Sequence, residues 1–178
     1  MSKDLNILLA GFGGQGILFA GKFIAGCAMI DKKQLSWLPS YGPEMRGGTA
    51  NCSVCISDNL IGSPLVVNPN VFVAMNLPSF DKFINEVEPD SYVFVDSSLI
   101  HKKVERTDLK VFYVPATNLA VENNLKGLAN MIMIGKMYKE LKFCSEEAFQ
   151  EELVKCIPPK KSHLLEFNKK ALDLGINL

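Results

Sequence analysis

The sequence has no excess of charge of either sign and no long apolar run. Its 19 lysines and arginines balance its 19 aspartates and glutamates, so no global field favours nucleic acid or an anionic membrane. The best apolar stretch, 128–134, is interrupted by Asn130 and falls well short of the roughly 18 residues that a membrane span needs. These absences predict a chain that binds neither nucleic acid nor a membrane.

Histidine is scarce, and the five cysteines are an odd number that argues against a disulfide framework. His101 and His163 both lie in polar contexts typical of solvated side chains. Cys52 and Cys55 form a CxxC within a predicted strand, where residues three apart face opposite sides of a sheet. We therefore expect both cysteines to pack as small buried side chains, and no iron–sulfur cluster, which would need four thiolates.

The length of 178 residues suits one domain. Met1–Asp4 leads straight into a strand pattern, which leaves no room for a signal peptide and predicts a cytoplasmic protein. Hydrophobic periodicity predicts strands over 6–10, 49–57, 71–75, 92–95 and 111–114, and helices over 15–29, 79–86, 128–141, 145–156 and 161–174. This order predicts an α/β fold: a mostly parallel sheet with helices on both faces, in one domain of residues 1–178 with a helical C-terminal part from about 127.

A glycine-rich turn joins the first strand to the first helix. Gly11, Gly13 and Gly16 fit G-x-G-x-x-G, with Gly14 and Gln15 between them. Glycines let backbone N–H groups approach an anion at a helix N-terminus, so the turn predicts phosphate binding. The alternative is that the glycines only let helix and strand pack closely.

A nicotinamide or flavin site would also need an acidic residue about 20 positions further on. That region reads QLSWLPSYGPEMRGG and has no acid before Glu44. Asp31 comes too early, at the end of the first helix, so we do not expect an ordinary NAD site.

The segment WLPSYGPEMRGGTANCSV, 37–54, is dense in proline and glycine, which predicts a stiff, shaped loop. Arg46 is one of only two arginines in the chain and offers a fork of donors for carboxylate or phosphate. Beside it, Gly47 and Gly48 leave backbone amides unshielded, and Trp37 and Tyr41 are typical interface anchors. A second interpretation is that Arg46 pairs with Glu44 to brace a surface loop.

Polar residues follow the later predicted strands, at the sheet edge where α/β proteins bind ligands. They are Asn76, Asp96, Ser97, Thr117 and Asn118. They would line a cleft beside the glycine turn or serve as helix N-caps, and we favour capping for Asp96 and Thr117.

Five segments resemble the gamma subunit of the thiamine-dependent 2-oxoacid:ferredoxin oxidoreductases, and most of all the 2-oxoglutarate type. They are GFGGQGILFAGK, WLPSYGPEMRGGTANCSVCISDNLIGSP, VAMNLPSFDKF, LANMIMIGKM and NKKALDLG, in chain order. The resemblance implies a Rossmann-like domain in an assembly that oxidatively decarboxylates a 2-oxoacid to acyl-coenzyme A and passes electrons to ferredoxin.

The same resemblance implies where the cofactors lie. Thiamine diphosphate with its magnesium, and the iron–sulfur clusters, would belong to alpha, beta and delta partner subunits. The gamma subunit would bind coenzyme A through Gly11, Gly13, Gly14, Gln15 and Gly16, with Lys22 as a counter-charge if its side chain folds back. Trp37, Tyr41, Glu44, Arg46, Gly47 and Gly48 would contact an anion or the partner subunits.

Four hypotheses about function remain open at this point. The first is a coenzyme A-binding subunit that is inactive alone and self-associates, as a homodimer for instance, to cover its partner-binding face. The second is the equivalent subunit of a branched-chain 2-oxoacid or indolepyruvate oxidoreductase. The third is a free-standing NAD(P)-dependent reductase, and the fourth a structural adaptor with an empty turn.

Overall fold

The computed structural model describes residues 4–40 and 49–178 of the chain. The strands are β1 (Leu5–Phe12), β2 (Gln34–Ser40), β3 (Thr49–Ser57), β4 (Val71–Ala74), β5 (Tyr92–Asp96) and β6 (Lys110–Val114). The helices are α1 (Ile17–Ile30), α2 (Leu77–Phe83), α3 (Ala116–Glu122), α4 (Ala129–Leu141), α5 (Glu146–Lys155) and α6 (Leu164–Ile176). Short 3-10 turns lie at Ile84–Glu86 and Pro159–Lys161.

All six strands form one sheet in the order β2-β3-β1-β4-β5-β6. The four strands β1, β4, β5 and β6 run parallel, whereas β3 pairs antiparallel with both β1 and β2. The predicted α/β class is confirmed, and the sheet is mixed because β3 runs against its neighbours. None of the helices in the described ranges has the length and apolar character needed to cross a membrane.

Alternation along the strands divides the core into two layers. In β1, Ile7 and Leu9 belong to a core cluster with α1, α4, α5 and α6, whereas Leu8 and Ala10 belong to a second cluster with Phe80 of α2. Successive residues of a strand point to opposite faces. Helices therefore cover both faces of the sheet, as predicted.

The fifth helix is fixed to the first by apolar and polar contacts. The rings of Phe23 in α1 and Phe149 in α5 meet edge to face at 5.4 Å, a geometry worth about 1 kcal/mol beyond burial. Ser145 caps α5, since its Oγ accepts from the Ala148 N–H at 3.1 Å and donates to Asp31 at 2.6 Å. The helix start predicted at Ser145 is confirmed.

Two elements differ from the sequence-based prediction. Residues 37–40, predicted to belong to a stiff loop, lie in β2, because proline is tolerated on an edge strand and Pro39 lies on the outermost strand of the sheet. The helix α3 had no predicted counterpart. It has only seven residues and no side-chain cap, so it left little signal in the sequence.

The CxxC pair lies as predicted. Cys52 belongs to the core cluster that contains α1, and Cys55 to the opposite cluster that contains α2. Burial raises the pKa of Cys52 to about 12, partly offset by a hydrogen bond with Trp37. Cys52 therefore stays a neutral, packed thiol at neutral pH.

Candidate functional site

The glycine turn has a backbone that only glycine adopts easily. Gly14 and Gly16 have φ values of 93° and 73°, in the left-handed region that disfavours other residues. At Gly11, a Cβ would lie 2.6 Å from Gln15 Oε1 and 3.0 Å from Met75 Cβ. The turn is thus closely packed at Gly11, while a Cβ at Gly14 would meet no atom within 4 Å.

Gln15 holds the turn in place with both ends of its side-chain amide. Its Oε1 accepts from the N–H of Phe12 at 2.6 Å, and its Nε2 donates to the carbonyl of Met75 at 2.8 Å. The side chain therefore bridges the end of β1 to the end of β4. Its predicted phosphate contact stays a prediction.

The remaining amides of the turn have no protein partner among the described residues. Gly13 and Gly14 are exposed, and no hydrogen bond within 4–40 and 49–178 uses the N–H of Gly13, Gly14 or Gly16. The helix α1 that follows is 14 residues long, with no acidic residue in its first turn and no side-chain cap. Its N-terminal dipole and these amides form a positive end that suits an anion.

The turn lies where the sheet changes the face on which its helices pack. After β1 the chain enters α1 on one face, and after the adjacent parallel strand β4 it enters α2 on the other. Such switch points open a crevice at the carboxyl ends of the strands, and open α/β sheets bind ligands there.

The polar residues after the strands mostly serve the fold. Asn76 caps α2, since its Oδ1 accepts from the Ser79 N–H at 2.8 Å. Asp96 is fully buried and accepts from Ser98 N–H at 3.1 Å and Thr117 Oγ1 at 2.5 Å. Capping is wrong for Thr117, which lies inside α3 and donates to Asp96.

The other two predicted residues of this edge are also used locally. Ser97 N–H donates to the Val114 carbonyl at 2.9 Å, and Asn118 N–H donates to Ser98 Oγ at 3.0 Å. The end of β5 is thereby joined to the start of α3 through the backbone of these two residues.

The proposed counter-charge, Lys22, lies in a groove between α1 and α5. It shares this groove with Phe19, Glu152 and Cys156, and its charge acts to lower the pKa of Glu152. The structure therefore groups Lys22 with α5 and not with the residues of the turn.

Trp37 lies on the edge strand β2, with 37% of its surface exposed. Its indole covers Gly21 of α1, where a Cβ would lie 3.1 Å from Nε1. The other predicted contact residues of this segment, Tyr41, Glu44, Arg46, Gly47 and Gly48, lie outside the described residues. The two ends of this segment, Ser40 and Thr49, pair with Asn51 and Phe12. They therefore lie near the carboxyl end of β1, where the glycine turn begins.

Sequence reasoning missed Asn130, whose Nδ2 donates to the Gly16 carbonyl at 3.1 Å. It lies 114 residues away along the chain, and its only signal was a polar residue within an apolar helix pattern. Both histidines are exposed, as expected. Among the described residues no three His, Cys, Asp or Glu side chains are grouped to hold a metal ion.

Comparison with known proteins gives consistent relatives. The pyruvate ferredoxin/flavodoxin oxidoreductase family model matches residues 6–178. The ketoisovalerate oxidoreductase subunit VorA of Methanothermobacter marburgensis is 35% identical over 97% of this chain and 36% of its own length. The 2-oxoglutarate synthase subunit KorC of Methanocaldococcus jannaschii is 33% identical over 95% of this chain and 92% of its own. The chain thus spans about a third of VorA and nearly all of KorC.

Solved structures share the fold. The gamma subunit of a keto/oxoacid ferredoxin oxidoreductase from Geobacter sulfurreducens superposes with a TM-score of 0.83 at 27% identity, covering 97% of this chain and 96% of its own. The 2-oxoglutarate:ferredoxin oxidoreductase from Magnetococcus marinus, solved with 2-oxoglutarate, coenzyme A and succinyl-CoA, gives 0.90 at 24% identity, covering 99% of this chain and 31% of its own. The chain therefore belongs to the pyruvate ferredoxin/flavodoxin oxidoreductase family and resembles its gamma subunits over nearly its whole length.

Proposed function

We propose that this chain is the coenzyme A-binding gamma subunit of a multisubunit 2-oxoacid:ferredoxin oxidoreductase. The observation that carries the proposal is the glycine turn, which places open backbone amides and the start of α1 at the switch point between β1 and β4. The phosphates of the carrier's nucleotide end would accept from Gly13, Gly14 and Gly16.

The geometry favours coenzyme A over a nicotinamide cofactor. In a dinucleotide site the strand after the first helix lies beside the first strand and ends in an acid that binds the ribose. Here β3 lies between β1 and β2, and β2, QLSWLPS, contains no acid. These features support a phosphate site at the glycine turn and no acidic residue placed to bind a ribose.

The chain's own part in the reaction is to bind and orient. Holding the acceptor thiol near an acyl intermediate lowers the barrier by proximity, without acid–base work. Thiamine diphosphate and the iron–sulfur clusters would be held by alpha, beta and delta partners. Cys52 and Cys55 do not fit a cluster in this chain, because they lie in opposite core layers.

The partner contacts belong to the edge that β2 forms. We assign Trp37 to the surface that meets the catalytic subunits, because it is half-exposed on an outer strand. We assign Arg46 to the same surface or to the anion, since the segment that contains it ends at Thr49, which pairs with Phe12 beside the turn. Made alone, the chain would cover this edge by forming a homodimer.

Two substrate classes are supported by relatives of similar identity. We favour 2-oxoglutarate, because the KorC relative matches this chain in length as well as in sequence. The VorA relative keeps a branched-chain 2-oxoacid as the second candidate. Assaying the reconstituted complex with 2-oxoglutarate and with 3-methyl-2-oxobutanoate separates the two.

The binding proposal is tested by calorimetry on the full chain with a matched pair of variants. Gly14→Asp and Gly14→Asn add side chains of the same size at the same positive φ, in open space. Only the aspartate repels a phosphate, so coenzyme A affinity should fall at least tenfold further in Gly14→Asp than in Gly14→Asn. Equal affinities, or a wild-type chain that binds NADH but not millimolar coenzyme A, would overturn the proposal.

A further inference from the structure

Asn130 joins the first turn of α4 to the glycine turn. Its side-chain Nδ2 donates to the Gly16 carbonyl at 3.1 Å, and the same carbonyl accepts from the Ala20 N–H at 2.9 Å as α1 begins. Because a carbonyl oxygen can only accept, this contact fixes the amide nitrogen of Asn130 toward Gly16.

The contact depends on the absence of a side chain at Gly16. A Cβ built there would fall on Asn130 Nδ2 and lie 3.0 Å from its Cγ. Asn130 therefore occupies the space that any other residue at position 16 would take. The side chain of Asn130 and the bare backbone of Gly16 therefore fit together sterically.

Asn130 is a poor choice for stability alone. Only 4% of its surface is exposed, and its Oδ1 has no hydrogen-bond partner among the described residues. An unpaired buried polar atom destabilises a fold, whereas leucine has a similar shape and no such atom. The small cavity beside Asn130 is otherwise apolar, lined by Leu9, Ile17, Met75, Met133, Ile134 and Met137.

We infer that Asn130 is a positioning residue for the anion site, and this inference rests on the proposed binding of coenzyme A at the turn. By holding the Gly16 carbonyl, Asn130 fixes the orientation of the peptide plane that joins Gly16 to Ile17. The Ile17 N–H of that plane then joins the amides of Gly13, Gly14 and Gly16 around the ligand without reordering. Gln15 braces the other side of the same turn through Phe12 and Met75.

Asn130→Leu in the full chain tests this role. It removes the contact to Gly16 and the unpaired oxygen together, so the melting temperature should stay equal or rise while the dissociation constant for coenzyme A increases about tenfold. A residue with a merely structural role would do the reverse: its replacement would lower the melting temperature and leave the affinity of the folded chain unchanged.

Two further variants separate the loss of the Gly16 contact from a change in packing. Asn130→Asp keeps the shape but sets an oxygen against the Gly16 carbonyl, so it should weaken binding at least as much as Asn130→Leu. Met133→Leu changes the same cavity without touching the turn, so it should leave affinity unchanged. Equal weakening by Met133→Leu would attribute the effect to packing and overturn the inference.

A readout without ligand separates this inference from the proposed function. Hydrogen exchange and ¹H–¹⁵N shifts of Gly14, Gly16 and Ile17 in the free chain should change in Asn130→Leu and stay unchanged in Met133→Leu. Unaltered amides in Asn130→Leu would overturn the positioning role even if the wild-type chain binds coenzyme A. A wild-type chain that fails to bind would overturn the proposed function and, with it, the ligand role of Asn130.

Discussion

At the scale of single residues, a glycine in one helix leaves space for a carboxylate of a neighbouring helix, and burial there shifts the pKa of that carboxylate. The carboxylate of Glu152 in α5 lies where a Cβ of Gly26 in α1 would be. Burial in this position raises its pKa, while Lys155 and Lys22 act in the opposite direction. The charged form of Glu152 therefore destabilises the fold, and the size of this effect depends on pH.

We predict that Glu152→Gln gains stability relative to the wild type as the pH rises. The folded chain holds the Glu152 proton to higher pH than the unfolded chain does, because the folded pKa is raised. The stability contributed by this group is therefore present at low pH and is lost as the pH rises from the ordinary glutamate pKa through the raised one. Glutamine does not titrate, so urea unfolding at pH 4 and pH 7 measures the difference.

The matched control is Glu151→Gln, on the neighbouring position of α5. Glu151 pairs with Lys155 on the surface, with half of each side chain exposed, so its replacement should change the free energy of unfolding by less than about 1 kcal/mol at either pH. A Glu152→Gln difference that is the same at pH 4 and pH 7 would contradict the assignment.

At the scale of elements, α4 and α6 cross so closely that their backbones touch. A Cβ on Gly135 would fall on the carbonyl oxygen of Leu172, and one on Gly175 would fall on that of Ile132. The two glycines lie in LANMIMIGKM and NKKALDLG, two of the segments that carry the family resemblance. Those motifs therefore encode a helix crossing.

We predict that Gly135→Ala destabilises the chain by about 1–3 kcal/mol, because the added methyl group meets backbone that cannot move aside. Alanine is the better helix former by about 1 kcal/mol, so the measured loss is what remains after that gain. Lys139→Ala, on the exposed face of the same helix, should stay within about 0.5 kcal/mol of the wild type. Thermal or urea unfolding compares them, and a Gly135→Ala chain as stable as wild type would contradict the crossing.

The elements also show what sequence reasoning can reach. Long periodic segments such as α1 and α4 were predictable from their own residues, and so was the glycine turn between β1 and α1. The strand β2 was not, because Pro39 and the glycines that follow are typical of a loop unless the strand is known to be an edge. Asn130 was not either, because its role depends on a contact across 114 residues of chain.

For the whole molecule, we propose that the placement of β3 helps to determine which ligand the glycine turn binds. Because the antiparallel strand β3 lies between β1 and β2, the strand that follows the first helix does not lie beside β1 as it does in a dinucleotide site. The sequence of this chain aligns with nearly all of the KorC relative and with about a third of VorA. We therefore place the ligand specificity in the sheet order and in the turn together.

The most direct test of the account is a ¹H–¹⁵N titration of the full chain with coenzyme A. We predict that the first and largest shifts occur at Gly13, Gly14, Gly16 and Ile17, and that adenosine 3′,5′-bisphosphate reproduces them. Saturable shifts centred elsewhere, for example on the exposed apolar loop at Leu60 and Leu65, with none at the turn, would contradict it.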